Sequence, residues 1–599
     1  MSLSHHVSDA GSKSGDKKSK PHHVVKNLAR YSDINSDIPR YSLPEGSMTA
    51  IAAADFIRSE LRLDGNPNLN LASFVTTQVD RECHDLITES LNKNMPDQDQ
   101  YPHSNDIQDR CISMLADLWN APSTSNTPAT NPDGKEVSSG SSKSGGANPN
   151  TTTGSEEGQH AVGTATIGSS EAILLAGLAL KWRWRERQAK KRNCKPADVL
   201  ERPNIIFSAA VHVSILKLCR FFDIDARVLP VERNRLVIDC DEVVRQCDDK
   251  TAGVFLILGT TLTGELEDIK GMNDRLLKLK SDKGLDIPIH VDGASGAMVV
   301  PFVWPDHEWD FRLEQVRSIN TSGHKYGLTY PGLGWVVWKT KEDLPEGLIF
   351  HVNYLGIDEP TFSLNFSKSA STVIGQYYNF LRLGRAGYTQ IMESCITNAK
   401  HLAKRLSSLG GVFDIVSKHD EPSLPLVAFK FASDEAMGFD ATILVHELRG
   451  KGWIVPAYTL PANASDVLIM RVVVRETFTH EMVEMLVEDV RLILIALTHK
   501  HGKEDVKQRL IEAALHESGG SSNRRNKHHV QQVKAVVAGE QAGNNKGVAT
   551  MRPQEDSEHA NRDADKLHEM TGGKSDLSTN AGADGGKGAK AQPTVHTIC

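Results

Sequence analysis

Lys325 closes the run Ser318-Ile319-Asn320-Thr321-Ser322-Gly323-His324-Lys325, a small polar turn that follows the β-type stretch Val316 to Ile319. An amine presented on such a turn reaches a carbonyl ligand and forms a Schiff base. In His290-Val291-Asp292-Gly293-Ala294-Ser295-Gly296-Ala297, Asp292 ends another apolar strand. A reactive lysine with a strand-end aspartate is the pair that pyridoxal 5'-phosphate requires. The amine takes the aldehyde and the carboxylate takes the pyridinium nitrogen.

Those two residues need a sheet to present them. Strands are predicted at Asn204 to Ser208, Ala226 to Pro230, Gly253 to Leu258 and Ile287 to Asp292. Helices are predicted between them, at Ser214 to Phe222, Asp239 to Gln246 and Asp274 to Lys280. Alternating strands and helices imply a mostly parallel sheet covered on both faces. Ligands then bind beyond the carboxyl ends of the strands, where Ser208, Gly259 and Asp292 converge. Gly163 to Ala172 reads as the opening of a helix that runs to about Gln188. Its small residues leave amides free for an anion, and Ser169 and Ser170 add hydroxyls. An ordinary serine N-cap is the alternative. His212 follows the strand that ends at Ser208, so its ring either stacks on an aromatic cofactor or is structural. After Lys325, Gly334 to Trp338 reads as a strand, and helices are expected from about Thr372 to Leu383 and Tyr388 to Leu409. Residues 411–500 read as a smaller α/β unit in which Arg471 and Arg475 alternate with valines, one face toward a cleft or toward water.

Towards the N-terminus, helices are expected from Thr49 to Leu63, Asp80 to Asn92 and Ile107 to Trp119, with Asn68 to Phe74 extended. Periodicity alone makes Ser73, Asn94 and Asp97 surface loop residues. The chain has 599 residues, 39% of them hydrophobic, and a net charge of −8. A soluble, cytoplasmic protein is predicted, without a membrane span and without nucleic acid as its main partner. Eight cysteines lack CxxC spacing, so neither a metal site nor a disulfide frame is expected. Residues 1–45, the Ser/Asn/Gly-rich insertion 123–157 and most of 503–599 bury too little to order themselves. One amphipathic helix is expected within the last of these, at Val506 to Leu515. Calmodulin binding at Arg524-Arg525 and Lys534 has weak support, because the tail lacks Trp, Phe and Tyr.

Taken together, Asn70-Leu71-Ala72-Ser73-Phe74, Asn92-Lys93-Asn94, Gly163 to Ala172, Lys181-Trp182-Arg183-Trp184-Arg185, His290 to Ala297, Ser318 to Gly327, Thr361 to Ser367 and Gln376-Tyr377-Tyr378 resemble the glutamate decarboxylases, group II pyridoxal-phosphate decarboxylases. The resemblance spans roughly residues 40–500 apart from the insertion. It implies an α/β protein of fold type I, with a mostly parallel, seven-stranded-type sheet and a smaller C-terminal α/β domain. The implied layout is an N-terminal segment 46–122 contributing to the substrate site, a cofactor domain 158–390 and a small domain 391–502. Lys325 would carry the cofactor, Asp292 would pair with its ring nitrogen and His212 would stack on it. Ser169, Ser170, Ser322 and His324 would hold the phosphate, with Thr261 beside the cofactor. Ser367 would come from a neighbouring subunit, which implies a homodimer or higher oligomer. Arg471 would take the α-carboxylate of L-glutamate. Ser73, Phe74, Asn94 and Asp97 match the region for the distal carboxylate, with Ser73 in place of an expected threonine. Tyr354 would return a proton to Cα, or else packs at a turn. A related decarboxylase with another substrate and a catalytically inactive scaffold are the competing readings.

Overall fold

The computed structural model describes residues 41–44, 46–122, 161–352 and 359–519. They divide into two compact units between Leu69 and Asn70. The first unit contains the helix Ala50–Leu61, whose start is capped by the Thr49 hydroxyl accepting from Ala52 N at 3.2 Å.

The second unit is built on seven strands: β1 (Val162–Thr166), β2 (Asn204–Ser208), β3 (Asp225–Leu229), β4 (Thr251–Ile257), β5 (Ile289–Asp292), β6 (Val316–Thr321) and β7 (Gly334–Trp338). Their order is β1-β7-β6-β5-β4-β2-β3. The pairs from β3 across to β6 are parallel, whereas β7 runs antiparallel to both its neighbours. Every residue of β2, β4, β5 and β7 is buried. Helices cover both faces, so these strands carry continuous Ile/Val/Phe runs in place of alternation. Each fully buried side chain of that kind contributes about 1.5–3 kcal/mol. The crossovers run through the helices Val213–Phe221, Cys240–Gln246 and Ile269–Lys283.

The β1 strand corrects the sequence reading. Gly163 to Thr166 are strand, and the helix begins at Ser169 and runs to Arg192. The composition Val-Gly-Thr-Ala-Thr looks like a helix-entry turn, but its small residues let β1 close onto β7. A Cβ at Gly163 would lie 2.6 Å from the Val336 carbonyl oxygen. Pro67–Leu69 is a 3-10 turn, so the extended segment starts later than the sequence suggests, at the Asn70–Ile454 bridge.

A two-stranded hairpin pairs β8 (Phe350–Val352) with β9 (Glu359–Thr361). The long helix Ser371–Ser407 is two helices joined at Gly384, whose φ of 56° favours glycine. Beyond it a four-stranded antiparallel sheet contains β10 (Phe413–Ile415), β11 (Leu426–Phe431), β12 (Ala457–Thr459) and β13 (Leu468–Val473), in the order β10-β11-β13-β12. It packs with the helices Ser371–Ser407 and Ala441–Gly450; the helix His480–Lys500 packs against both of these, and the helix Glu504–Gly519 lies on it. Residues 123–157, the N-terminal tail to residue 40 and the Arg524–Lys534 patch lie outside the described residues.

Candidate active site

The turn after β6 carries Lys325. Ser322 N donates to Ala294 O at 3.1 Å, and Lys325 N donates to Ser322 O at 3.2 Å. Thr76 grips the same turn twice: its amide donates to His324 O at 2.9 Å and its hydroxyl to Lys325 O at 2.7 Å. Gly327 O accepts from both Gln376 Nε2 and the Tyr388 hydroxyl, each at 2.9 Å. A Cβ at Gly323 would lie 2.6 Å from Gln376 Oε1, so the turn tolerates no side chain there. Leu328 adopts φ 65°, unusual for a branched residue, and Asn379 Nδ2 holds its carbonyl at 2.7 Å. The lysine loop is therefore fixed from several elements, and Lys325 Nζ sits 5.4 Å from the Phe74 ring centroid.

Asp292 ends β5 between β4 and β6, and is buried. Its Oδ1 accepts from Ala294 N at 3.2 Å and Asn320 Nδ2 at 3.1 Å. At the other end lies a patch of hydroxyls at the start of helix Ser169–Arg192. Ser169 Oγ and Ser322 Oγ are 2.7 Å apart, as are Ser170 Oγ and Ser214 Oγ. His212 Nδ1 is 2.5 Å from Ser214 Oγ and also accepts from Ser214 N, capping the helix Val213–Phe221. Burial pushes the His212 imidazole below its ordinary value; Asp292 opposes this and Lys325 adds to it. His324 is lowered by burial, and its Nδ1–H donates to Leu333 O at 2.6 Å. Both rings are therefore neutral near pH 7.

This donor set fits pyridoxal phosphate. A lysine amine, a buried strand-end carboxylate and an imidazole face one another electrostatically. Paired serine hydroxyls lie at a helix start whose first amides lack intrahelical acceptors.

Arg471, on β13, is buried. Its Nη1 donates to Thr261 O and its Nη2 to Ala72 O at 2.7 Å, while Nε is buried without a hydrogen-bond partner. The guanidinium lies 5.2 Å from the Phe74 ring centroid and 5.6 Å from that of Tyr458. A buried cation held by carbonyls and aromatic faces, with one N–H unsatisfied, is suited to an anionic ligand. Arg475 is used differently, donating to Val75 O and Asn70 O and so tying the Asn70–Val75 segment to the small sheet.

The structure thus gathers Lys325, Asp292, His212, Ser169, Ser170, Ser322, His324, Thr261, Phe74 and Arg471 around the strand ends. Ser73 is half-buried next to Phe74, and its Oγ accepts from Val75 N at 3.1 Å. Asn94 and Asp97 share a bond of 3.3 Å, and Asn94 Oδ1 accepts from Lys368 N at 3.2 Å. They lie with the segment bearing Ser367, which is exposed. That segment lines a cavity of about 210 Å³ with Met95, Pro96, Phe366 and Lys368, and neither Lys325 nor Asp292 is part of its lining. Burial lowers the Lys368 ammonium to about 8. Tyr354 lies outside the described residues. His401, His480 and Glu484 come within 4.8 Å of one another. Arg405 and His401 already occupy the Glu484 carboxylate, so this cluster is an ion-paired staple between helices.

Sequence reasoning missed Ser214, Asn320, Thr76 and Tyr458. Ser214 lies two residues after His212, and Asn320 two residues before Ser322, so both stand beside residues already singled out. Nothing local marks Thr76 or Tyr458.

A lysine and an aspartate set on one mostly parallel sheet define a pyridoxal-phosphate site of fold type I. Residues 148–432 match the family described as the pyridoxal-dependent decarboxylase conserved domain. The glutamate decarboxylase of Petunia hybrida is 42% identical over 498 residues, covering 83% of this chain and 91% of that one. Glutamate decarboxylase 1 of Arabidopsis thaliana is 45% identical over 462 residues, covering 77% and 84%. Among solved structures, the Lactobacillus brevis glutamate decarboxylase superposes with a TM-score of 0.69 at 37% identity, covering 78% of this chain and 97% of that one. The chain belongs to the glutamate decarboxylase family.

Proposed function

We propose that this chain converts L-glutamate and a proton to 4-aminobutanoate and CO2, using pyridoxal 5'-phosphate. The observation that carries the reading is the buried Arg471 guanidinium beside the Phe74 ring, the same ring that Lys325 Nζ approaches. When bound, the cofactor supplies a conjugated sink for the electrons of the bond to the departing carboxylate.

The chain's own residues do the rest. Lys325 would hold the cofactor through its amine. Asp292 would pair with the ring nitrogen and hold a proton there. Ser169, Ser170, Ser322, His324 and the helix start would hold the phosphate, and Thr261 and His212 would be further cofactor contacts. Arg471 binds the α-carboxylate and sets the angle of the bond to be broken, which is an orientation effect. Ser73 and Phe74 recognise the distal carboxylate; Asn94 and Asp97, which lie with the Ser367 segment, join them from a neighbouring subunit in this reading. Tyr354 delivers the proton to Cα.

The chain works as a homodimer or larger assembly in this reading. Support comes from the exposed Ser367, which shares a segment with the residues bonded to Asn94 and is available to a second copy. The two sheets support a cofactor domain at 158–390 and a small domain at 391–502. Cytoplasmic placement is proposed as well; among the described residues no helix is long and apolar enough to cross a membrane.

The test is CO2 release from purified protein supplied with the cofactor and, in turn, glutamate, aspartate and aromatic amino acids. Glutamate is expected to be the preferred substrate by at least about a hundredfold in kcat/KM, about 2.7 kcal/mol. Turnover of another amino acid in its place would overturn the substrate assignment, and no turnover of any would favour a scaffold.

A further inference from the structure

Asp292 does not meet the interior alone. Asn320 Nδ2 donates to Asp292 Oδ1 at 3.1 Å, His290 Nε2 is 2.7 Å from Asn320 Oδ1, and Ser318 Oγ is 2.8 Å from His290 Nδ1. All four side chains are buried: Asp292 is 5% exposed, Ser318 1%, and His290 and Asn320 0%. They alternate along two neighbouring strands, His290 and Asp292 on β5 and Ser318 and Asn320 on β6, so they share one face of the sheet.

A β-bulge makes this alignment. Ile289 pairs with Val316, yet His290 pairs with Ser318 and Asp292 with Asn320. Without the shift, His290 would face Arg317 and Asp292 would face Ile319. The extra residue therefore turns a charged and an apolar neighbour into a hydroxyl and an amide.

The hydrogen bonds have one consistent direction. An ionised carboxylate only accepts, so the Asn320 amide must present its NH2 to Asp292 and its oxygen to His290. His290 then donates through Nε2–H, and its Nδ1 accepts from the Ser318 hydroxyl. This tautomer follows from the network. Burial supports it by holding the His290 imidazole near 4, well below its ordinary value, so the ring is neutral. Phe255 lies against it, 4.7 Å between ring centroids.

We infer that Ser318 and His290, acting through Asn320, are positioning residues that fix the orientation and charge of Asp292 toward the cofactor's ring nitrogen. The inference rests on the proposed role of Asp292. The relay is a ladder inside the sheet and touches neither substrate nor cofactor. Its output is a carboxylate whose Oδ1 is held by the Asn320 amide.

The test compares apo-proteins of wild type, Asp292→Asn, Asn320→Ala, Ser318→Ala, Ser318→Thr and the Asn320→Ala/Ser318→Ala double variant. Pyridoxal phosphate affinity is read by equilibrium dialysis, the pH midpoint of the bound cofactor's absorbance by titration, and apo-protein melting by circular dichroism. Asn320→Ala is expected to weaken cofactor binding about tenfold, as loss of a hydrogen bond to a charged group does. Ser318→Ala is expected to weaken it about threefold, with Ser318→Thr restoring it and the absorbance midpoint moving in the same order. The double variant is expected to match Asn320→Ala, because Ser318 acts only through that amide. Affinity unchanged in Asn320→Ala but weakened in Asp292→Asn would overturn the relay alone. Additive losses in the double variant would also overturn it. If Asn320→Ala does not fold, Ser318→Ala against Ser318→Thr decides, and equal affinity in those two overturns the relay. Affinity and midpoint unchanged in Asp292→Asn would instead overturn the underlying assignment of Asp292.

Discussion

The two ends of the site are built on opposite principles. At the end proposed for the cofactor, Lys325, Asp292, Ser169 and Ser322 come from strand ends and a helix start around one sheet, and the Asp292, Ser169 and Ser322 side chains are paired within the protein. At the substrate end, Arg471 joins Thr261 and Ala72, 210 and 399 residues away in sequence, and one of its buried N–H groups has no partner. A prosthetic group that stays bound can be met by a finished cradle. A substrate that must enter and leave is met by a charge whose compensation it brings itself.

The contrast can be broken from either side. Lys325→Ala is expected to have the largest effect, lowering turnover about a thousandfold or more, as loss of a covalent catalytic group does. Its cofactor should be removable by dialysis without a competing amine, and retained activity would dismiss the lysine assignment. Arg471→Lys follows. A point charge cannot reproduce the planar fork, and about 2–5 kcal/mol is expected to be lost, roughly 30- to several-thousand-fold in kcat/KM. Cofactor affinity should be unaffected if the two ends are independent. Phe74→Leu removes one aromatic face from the guanidinium and should raise KM by about 2- to 30-fold, the worth of about 0.5–2 kcal/mol.

A further expected effect is on stability and not on the site. Burial raises the Glu267 carboxyl to about 8, against the hydrogen bonds it accepts from Ile257 N and Ile238 N. A carboxyl raised in the folded state favours folding fully below its unfolded value near 4.5 and loses that advantage as pH rises through about 8. The melting temperature should therefore carry a decline between about pH 5 and pH 8 that Glu267→Gln flattens, at a cost of about 1–3 kcal/mol from altered hydrogen bonding. Identical pH slopes in the two proteins would refute the assignment.

The same contrast governs what the sequence could reveal. Asp292 is legible because it ends an apolar strand, and Lys325 because it closes a small polar turn directly after a β-type stretch. The helix start at Ser169 is likewise legible from local pattern. The β1 strand is not, because its β-branched Val162, Thr164 and Thr166 are interrupted by small residues, Gly163 being where a Cβ would meet the Val336 carbonyl oxygen of β7. The Asp292–Asn320–His290–Ser318 ladder depends on a bulge, and a one-residue shift in pairing leaves no mark in either strand's composition. Arg471 is readable as half of an alternation, but its carbonyl and aromatic partners come from segments that only the folded chain brings together. The family resemblance supplied the role of Arg471 that periodicity left open.

The most direct test of the substrate end pairs two ligands that differ by one group. Glutamate carries an α-carboxylate and 4-aminobutanoate does not. Steady-state kcat/KM for glutamate and the inhibition constant for 4-aminobutanoate should be measured in wild type and in Arg471→Ala. The account predicts a fall of about a hundredfold or more for glutamate, with less than about a threefold change for 4-aminobutanoate. An equal loss for both ligands would contradict it, because Arg471 would then not be reading the carboxylate that departs.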